Sequence, residues 1–345
     1  MDLLTQVKQE TLKTKTLEDK FLLAKALMPV HEDLEILRGS LLNYLPIHTK
    51  SASLISKHVL SGDGKLIRPA LFLLCCKMLS YRGAHLLPMA AVCELIHTAS
   101  LLHDDVVDNS TLRRNKPTSN SIWGDEAAVL TGDLIYSTAS EIMAKTGKLE
   151  IVTSFAAAIR NMSEGELLQL EHISSFQMDE TTYFKILGGK TAVLMGAACR
   201  AASILGDLEE GPKNALEAFG YSLGISFQLI DDALDYSGQQ ELFGKEILSD
   251  LKEGKVTLPI LLLKNRATEE ESKLVKEILE KSELDPEDYQ KIFFLVQKYQ
   301  TAQETLKIAK NYTKDALNSL EKFFPESPER KNLERLSESL LFRCC

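Results

Sequence analysis

Apolar residues recur at three- and four-residue intervals along most of this chain, the repeat that gathers them on one face of an α-helix. Leu17, Phe21, Leu22, Ala24 and Leu27, then Leu34, Ile36, Leu37, Leu41 and Leu42, predict a helix over residues 17–45. Pro29 divides it, because proline lacks the amide donor and its ring clashes with the preceding turn. A second helix is predicted over 50–60. Ser61-Gly62-Asp63-Gly64 reads as a loop, and Lys65-Leu66-Ile67-Arg68-Pro69 leads into a helix over 70–80. Pro69 suits the first turn, where an amide has no helical partner anyway. Further helices are expected at 86–108, 124–146, 149–172, 179–203, 210–236, 256–265, 268–282, 286–298, 300–322 and 328–341.

Strict alternation of apolar and polar residues is absent, so no strand is expected. Gly188-Gly189 falls inside the helix predicted over 179–203; two glycines at roughly 1 kcal/mol each predict a kink there. Residues 109–120 form a polar loop holding Arg113 and Arg114. Residues 237–255 carry Gly238, Gly244 and Gly254 with Lys245, Lys252 and Lys255 among them. A loop that long in a compact domain is usually functional. The pattern is all-α. No Pro/Gly/Ser-rich linker divides it, so residues 1–345 are expected to form one large helical domain, with 1–16 and 342–345 as flexible tails.

Composition narrows the reading. The net charge of −9 argues against a nucleic-acid partner held by general basicity, and it makes local groups of Lys and Arg stand out. Cys75, Cys76, Cys93, Cys199, Cys344 and Cys345 lack zinc-ligand spacing, and a large core needs no disulfide framework, so a reducing, cytoplasmic setting is expected. Cys344-Cys345 does not fit the four-residue prenylation box and reads as a free tail. The N-terminal stretch mixes acids and bases, unlike a secretory signal or a transit peptide. No run of 18 apolar residues occurs, so no transmembrane segment is expected.

Two acidic groups interrupt the apolar pattern. Asp104, Asp105 and Asp108 stand at i, i+1 and i+4 at the end of one predicted helix, and Asp231, Asp232 and Asp235 repeat the spacing at the end of another. Residues i and i+4 share a helix face. Carboxylates this close repel one another, and at a helix C-terminus they also oppose the macrodipole. Two copies need a shared explanation. Magnesium is the simplest, because it is held by a few carboxylates and completes its shell with phosphate oxygens. A phosphorylated ligand between the two ends follows. Lys65, Arg68, Arg113, Arg114, Lys190, Lys245 and Lys255 lie in loops or at the glycine pair, where ammonium and guanidinium groups could neutralise the rest of a polyphosphate. His97 lies two turns before Asp104 and points the same way.

The chain resembles the trans-isoprenyl diphosphate synthases, in particular their long-chain, octaprenyl-like polyprenyl branch, over roughly residues 20–340. The resemblance rests on Gly64-Lys65-Leu66-Ile67-Arg68-Pro69, on Glu94-Leu95-Ile96-His97 through Asp108, and on Arg113-Arg114. It continues through Gly132-Asp133, Gly165-Glu166 with Gln169, Gly189-Lys190-Thr191 and Phe227-Gln228-Leu229-Ile230-Asp231-Asp232. The last carrier is Asp250-Leu251-Lys252-Glu253-Gly254-Lys255 before Thr257-Leu258-Pro259. Asn115 departs from the pattern, which usually has glycine after the paired arginines; no charged ligand is lost.

The resemblance implies a helical bundle of the isoprenoid synthase type around a central apolar cavity, and a homodimer. It implies an allylic diphosphate bridged to Asp104, Asp105, Asp108, Asp231, Asp232 and Asp235 by about three magnesium ions. Arg113, Lys190, Lys245 and Lys255 would stabilise the departing pyrophosphate. Lys65, Arg68, His97 and Arg114 would hold isopentenyl diphosphate without metal. Thr191 and Gln228 would steady the allylic cation with neutral oxygens, and pyrophosphate would take the final proton. Phe227 beside them reads as a packing residue.

If the aspartates hold the head of the growing chain, its tail runs back along the same helix past Ala99 and Ser100. Bulky aromatics at these positions in the family give short products, so these small residues leave the tunnel open. Its floor is then expected from Ile142, Met143 or Phe155, with Phe155 favoured. The leading expectation is a long-chain polyprenyl diphosphate for quinone side chains. A geranylgeranyl or farnesyl product is the near rival, and a non-catalytic partner subunit the rival of another class. Terpene cyclases and head-to-head condensing enzymes share the helical fold, but such cyclases normally lack the Lys65/Arg68 site and a second complete acidic group. A Ser/His/Asp hydrolase lacks its nucleophile elbow here, and no P-loop is present.

Overall fold

The computed structural model describes residues 21–62, 64–113, 116–236, 248–281 and 283–341. The tails 1–16 and 342–345 with Cys344 and Cys345, and the positions Arg114, Asn115, Gly238, Gly244 and Lys245, lie outside the described residues. The chain is built from helices. A helix over 21–27 (α1) stops at the 3₁₀ turn Met28–Val30, with proline in its first turn, and α2 (His31–Ser40) follows. The break predicted at Pro29 is there. Then come α3 (Lys50–Leu60), α4 (Ile67–Met78) and α5 (Leu86–Val107).

Between α5 and the next long helix the chain forms a hairpin, β1 (Leu112–Arg113) paired antiparallel with β2 (Lys116–Pro117), and the short helix α6 (Ser119–Trp123). The sequence pattern predicts only a loop over residues 109–120. Two-residue strands are too short for alternation to register, and the five residues of α6 too short for helical periodicity. Next come α7 (Asp125–Ala144), α8 (Leu149–Glu171), α9 (Glu180–Leu187), α10 (Val193–Leu205) and α11 (Glu210–Asp235). They are followed by α12 (Ser249–Lys252), α13 (Leu258–Arg266), α14 (Glu269–Leu279), α15 (Pro286–Tyr299), α16 (Thr301–Glu321) and α17 (Pro328–Leu341).

The predicted kink at Gly188-Gly189 takes another form. Gly188–Ala192 is a π-helical turn joining α9 to α10 without breaking the run, with the Val193 N–H bonded to the Gly188 carbonyl. Such turns widen the helix by one residue and recur at functional sites. The glycines are needed for closeness. A Cβ on Gly189 would lie 2.6 Å from the Asn161 carbonyl oxygen, and one on Gly165 of α8 3.1 Å from the Gly189 Cα. On the other side of the turn, a Cβ on Gly224 of α11 would sit 2.6 Å from the Ala192 Cα. The backbone carrying Lys190 and Thr191 is thus wedged between α8 and α11.

α5 is apolar almost all round and is buried accordingly. It is also, among the described residues, the one helix long and apolar enough to cross a membrane by length and composition. α11 passes through both apolar cores: Phe219 and Leu223 pack in the first, Leu229, Ile230 and Leu234 in the second. It is tied to α16 where the Ser226 hydroxyl meets the Ala309 carbonyl at 2.9 Å and the Thr313 hydroxyl at 2.7 Å. α5 and α11 end where the acidic groups stand.

Candidate active site

α5 ends in a Schellman motif. Asn109 takes the left-handed conformation (φ +49°), the Ser110 N–H bonds the Asp105 carbonyl and the Asn109 N–H bonds the Val106 carbonyl. Asp104 and Asp108 are therefore fixed one turn apart, with Asp105 turned inward. Asp105 is buried, and its Oδ1 accepts from Arg113 Nε at 2.8 Å, which fastens the hairpin to the helix end. Burial pushes the Asp105 carboxyl up, and Arg113 pulls it part of the way back. Asp104 is pushed up to about 6, first by burial; Glu166 and Asp108 add to the shift and Lys190 opposes it.

The second acidic group is arranged differently. Asp232 is buried, its Oδ2 accepting from the Tyr183 hydroxyl at 2.5 Å and its Oδ1 from Gln228 Nε2 at 2.9 Å. Burial pushes it up to about 6 against those two hydrogen bonds, with Asp231 and Asp235 raising it further. Asp235 caps α12: its Oδ1 accepts from the Ser249 amide at 3.0 Å and hydroxyl at 2.9 Å, and its Oδ2 from the Asp250 amide at 3.0 Å. Asp231 is half-buried. Beside them, burial and the charges of Asp232 and Asp235 hold the Asp250 carboxyl well above its ordinary range.

Two lysines connect the groups. Lys190 Nζ is held by both Glu166 oxygens, at 2.9 and 2.8 Å, and by Gln169 Oε1 at 3.3 Å. Lys255 Nζ pairs with Asp108 Oδ2 at 3.3 Å and with Glu253. Although burial opposes it, the charges of Glu253 and Asp108 raise the Lys255 ammonium above its usual value, so it stays protonated. Both lysines line one cavity of about 120 Å³ together with Thr191, Gln228, Asp232 and Asp250. Its remaining walls include Met178, Ile186, Leu187 and Val256, so the cavity has both polar and apolar walls. The Thr191 hydroxyl donates to Gln228 Oε1 at 3.0 Å, which leaves the threonine oxygen's lone pairs for the cavity.

The acids fit divalent cations. Asp104 sits desolvated beside Glu166 and Asp108, and a cation would relieve that excess negative charge. Among the described residues no three acidic, imidazole or thiol side chains converge on one point. Magnesium takes one or two carboxylates and leaves its other positions to water and phosphate oxygens.

Lys65 is exposed and Arg68 half-buried at the start of α4. Arg68 is near enough to Cys93 of α5 to perturb its thiol, and His97 lies one turn beyond Cys93 on that face. Leu66 between the two cations has φ +49°, a left-handed backbone costing roughly 1–2 kcal/mol for a residue with a side chain. Ala99 is fully buried, Ser100 is half-buried with its hydroxyl donating to the His97 carbonyl at 2.8 Å, and Phe155 is fully buried in the first core. Ile142 and Met143 are buried in the same core. None of these five lines the cavity between the lysines.

Sequence reasoning assigned no role to Tyr183, Glu166, Gln169 and Asp250. Glu166 and Gln169 stand at i and i+3 on one face, and Tyr183 two turns before Lys190; those spacings were the available signal. That Glu166 grips Lys190, or that Tyr183 reaches Asp232, depends on which helices meet.

The sequence matches the family model described as polyprenyl synthetase over residues 49–296, so α1 and α2 lie ahead of the match. It is 36% identical over 249 residues to octaprenyl diphosphate synthase of Escherichia coli, covering 72% of this chain and 77% of the relative. It is 34% identical over 318 residues to a human all-trans-polyprenyl-diphosphate synthase, covering 90% and 75%. Among solved structures, a decaprenyl diphosphate synthase from Rhodobacter capsulatus superposes with a TM-score of 0.88 at 32% identity, covering 93% of this chain and 99% of the other. A polyprenyl synthase from Caulobacter crescentus, complexed with calcium and isoprenyl diphosphate, gives 0.88 at 31% identity, with 94% and 98% covered.

Proposed function

The chain belongs to the polyprenyl synthetase family, and on that premise we propose how its residues divide the reaction. It is a trans-prenyltransferase that condenses isopentenyl diphosphate head to tail with an allylic diphosphate and builds a long linear polyprenyl diphosphate. The observation that carries the division is the position of Lys190 and Lys255. They line one cavity with Asp232, and Lys255 also pairs with Asp108 of the other acidic group.

Magnesium, about three ions, would be held by the two aspartate groups. Asp104, Asp105, Asp108, Asp231, Asp232 and Asp235 would supply the carboxylates in this reading; Asp105, Asp232 and Asp235 are also oriented by Arg113, by Tyr183 and Gln228, and by Ser249 and Asp250. Bound metal supplies positive charge to the diphosphate oxygens as the allylic carbon–oxygen bond breaks. Lys190, Lys255 and Arg113 add fixed charge to the same leaving group, the electrostatic stabilisation that a dry site makes strong; Lys245, outside the described residues, joins them by the resemblance alone. Lys65, Arg68, His97 and Arg114 hold isopentenyl diphosphate, whose double bond attacks the allylic carbon. Loss of a proton to the departing pyrophosphate then restores a double bond. Thr191 and Gln228 face the allylic cation with neutral oxygens, where a carboxylate would capture it.

The product is of octaprenyl-like length and serves a quinone side chain in this reading, which the small Ala99 and Ser100 support. Geranylgeranyl and farnesyl lengths are its rivals. Homodimerisation is supported by the exposed apolar side chains Ile122, Leu130, Leu167 and Leu170 on α6, α7 and α8. The reduced, buried Cys75, Cys76, Cys93 and Cys199 support a cytoplasmic setting. The test is the purified chain incubated with isopentenyl diphosphate, farnesyl diphosphate and magnesium, its products separated by chain length. A long polyprenyl diphosphate is expected. No turnover alone, with turnover restored by a second subunit, would make it a partner rather than an autonomous enzyme.

A further inference from the structure

Arg38 stands on α2, away from the cavity, and its guanidinium reaches forward to the loop before α4. Nη1 donates to the Gly62 carbonyl at 3.3 Å and Nη2 to the Gly64 carbonyl at 2.9 Å. Glu35, one turn earlier on α2, lies 3.8 Å from Arg38 Nε. Two carbonyls two residues apart are thereby held by one rigid planar group, a geometry that a single ammonium cannot reproduce. Immediately afterwards come exposed Lys65, Leu66 with its left-handed backbone and buried side chain, and Arg68 in the first turn of α4.

A backbone conformation of that kind persists only where its surroundings over-determine it. Here it is held on one side by the buried Leu66 side chain and the start of α4, and on the other by the Arg38 clamp. Released from the clamp, Leu66 can relax to an ordinary conformation, and the relaxation swings Lys65 relative to Arg68. We propose that Arg38 is a positioning residue for the metal-free diphosphate site, setting the separation of Lys65 and Arg68 through the Gly62 and Gly64 carbonyls. This rests on the reading that Lys65 and Arg68 hold isopentenyl diphosphate. Arg38 itself touches no substrate.

The test compares Arg38→Ala, Arg38→Lys, Arg68→Ala and Lys77→Ala in the full chain, measuring KM for isopentenyl and farnesyl diphosphates separately, kcat, and the melting temperature. Lys77 is the control: its ammonium ties α4 to the Pro29 carbonyl at 2.6 Å and does not touch the loop. Arg38→Ala is expected to raise KM for isopentenyl diphosphate about tenfold, with kcat and KM for farnesyl diphosphate unchanged, the signature of lost uniform binding to one substrate. Arg38→Lys should fall between, and Lys77→Ala should leave both KM values alone. If Arg68→Ala raises KM for isopentenyl diphosphate and Arg38→Ala does not, the clamp is irrelevant and the proposal fails while the site stands. If neither variant changes it, the site assignment fails and takes the proposal with it. If Arg38→Ala raises both KM values together with a fall in melting temperature, the role is structural only and the proposal is again overturned.

Discussion

Lys255 Nζ lies 3.3 Å from Asp108 Oδ2, so the stretch after α12 is pinned to the end of α5, 147 residues earlier in the chain. Both side chains are largely shielded from solvent. The placement follows from Gly254 (φ +71°), whose carbonyl accepts from the Ser174 amide at 2.8 Å, and from the Lys255 amide, which donates to the Asp250 carbonyl at 2.8 Å. The pair holds an ammonium where a diphosphate would arrive. Lys255→Ala should therefore lower kcat by about 10²–10³-fold, the range for removing one preorganised charged donor. KM for isopentenyl diphosphate should be nearly unchanged. Steady-state kinetics with each substrate varied in turn checks this; a loss confined to KM would move Lys255 out of the leaving-group site.

The close approach of α8 and the π turn makes a second expectation. Gly189→Ala puts a methyl 2.6 Å from the Asn161 carbonyl oxygen and 3.0 Å from the Gly165 Cα, with backbone and not a pliable side chain in the way. It should destabilise the protein by about 2 kcal/mol or more and displace Lys190 from Glu166. Gly39 in α2 is the matched control, since nothing lies within 4 Å of its missing Cβ. Gly39→Ala should stabilise by about 0.5–1 kcal/mol. Urea denaturation of the two variants beside the parent decides it, and equal effects would mean that the tight approach is not a constraint.

Several elements were legible in the sequence for definite reasons. The boundaries of α8, α11 and α17 fall within a residue of the periodicity because long amphipathic helices repeat their signal many times. The two aspartate groups were visible as charge at the ends of apolar runs. The π turn was not, because glycine in a helix reads as weakness until the partner backbone that needs its missing Cβ is in view. Nor was the unlike state of the two groups. Asp232 and Asp235 are buried under hydrogen bonds from Tyr183, Gln228, Ser249 and Asp250 while Asp104 accepts none from another side chain among the described residues. Identical spacing in sequence says nothing about what packs against it.

Asp104 and Asp232 are each held at about 6, chiefly by burial, against the ordinary 3.8 of an aspartate. Between about pH 4 and 6 the folded, metal-free protein keeps protons that the unfolded chain has released, so these groups lower its stability as pH rises through that window. Magnesium needs the ionised forms and acts in the opposite sense. The rise in melting temperature on adding magnesium and inorganic diphosphate should be large at pH 7.5 and shrink as pH falls through 6. Asp104→Asn should raise the stability of the metal-free protein at pH 7.5, by up to about 3 kcal/mol, while removing most activity. Scanning calorimetry with and without the metal measures both. Identical melting temperatures in its presence and absence would count against a shared metal–diphosphate site.

For chain length, burial decides which variant is informative. Ala99 is fully buried, so Ala99→Phe must overpack the core at about 1–3 kcal/mol. Phe155 is equally buried, and Phe155→Ala removes about 3–5 kcal/mol of packing. Either change can alter products merely by loosening the fold. Ser100 is half-buried, on the turn before Asp104, and among the described residues its hydroxyl bonds to the His97 carbonyl of its own helix. The position is therefore less constrained by core packing than Ala99 or Phe155. Ser100→Phe should shorten the product by several isoprene units with the melting temperature nearly unchanged, and chromatography of the dephosphorylated alcohols reads the length directly. Phe155→Ala should lengthen it in the fraction that remains folded. An unaltered product distribution from a stably folded Ser100→Phe would place the growing tail on another face of α5 and remove Ala99, Ser100 and Phe155 from its path.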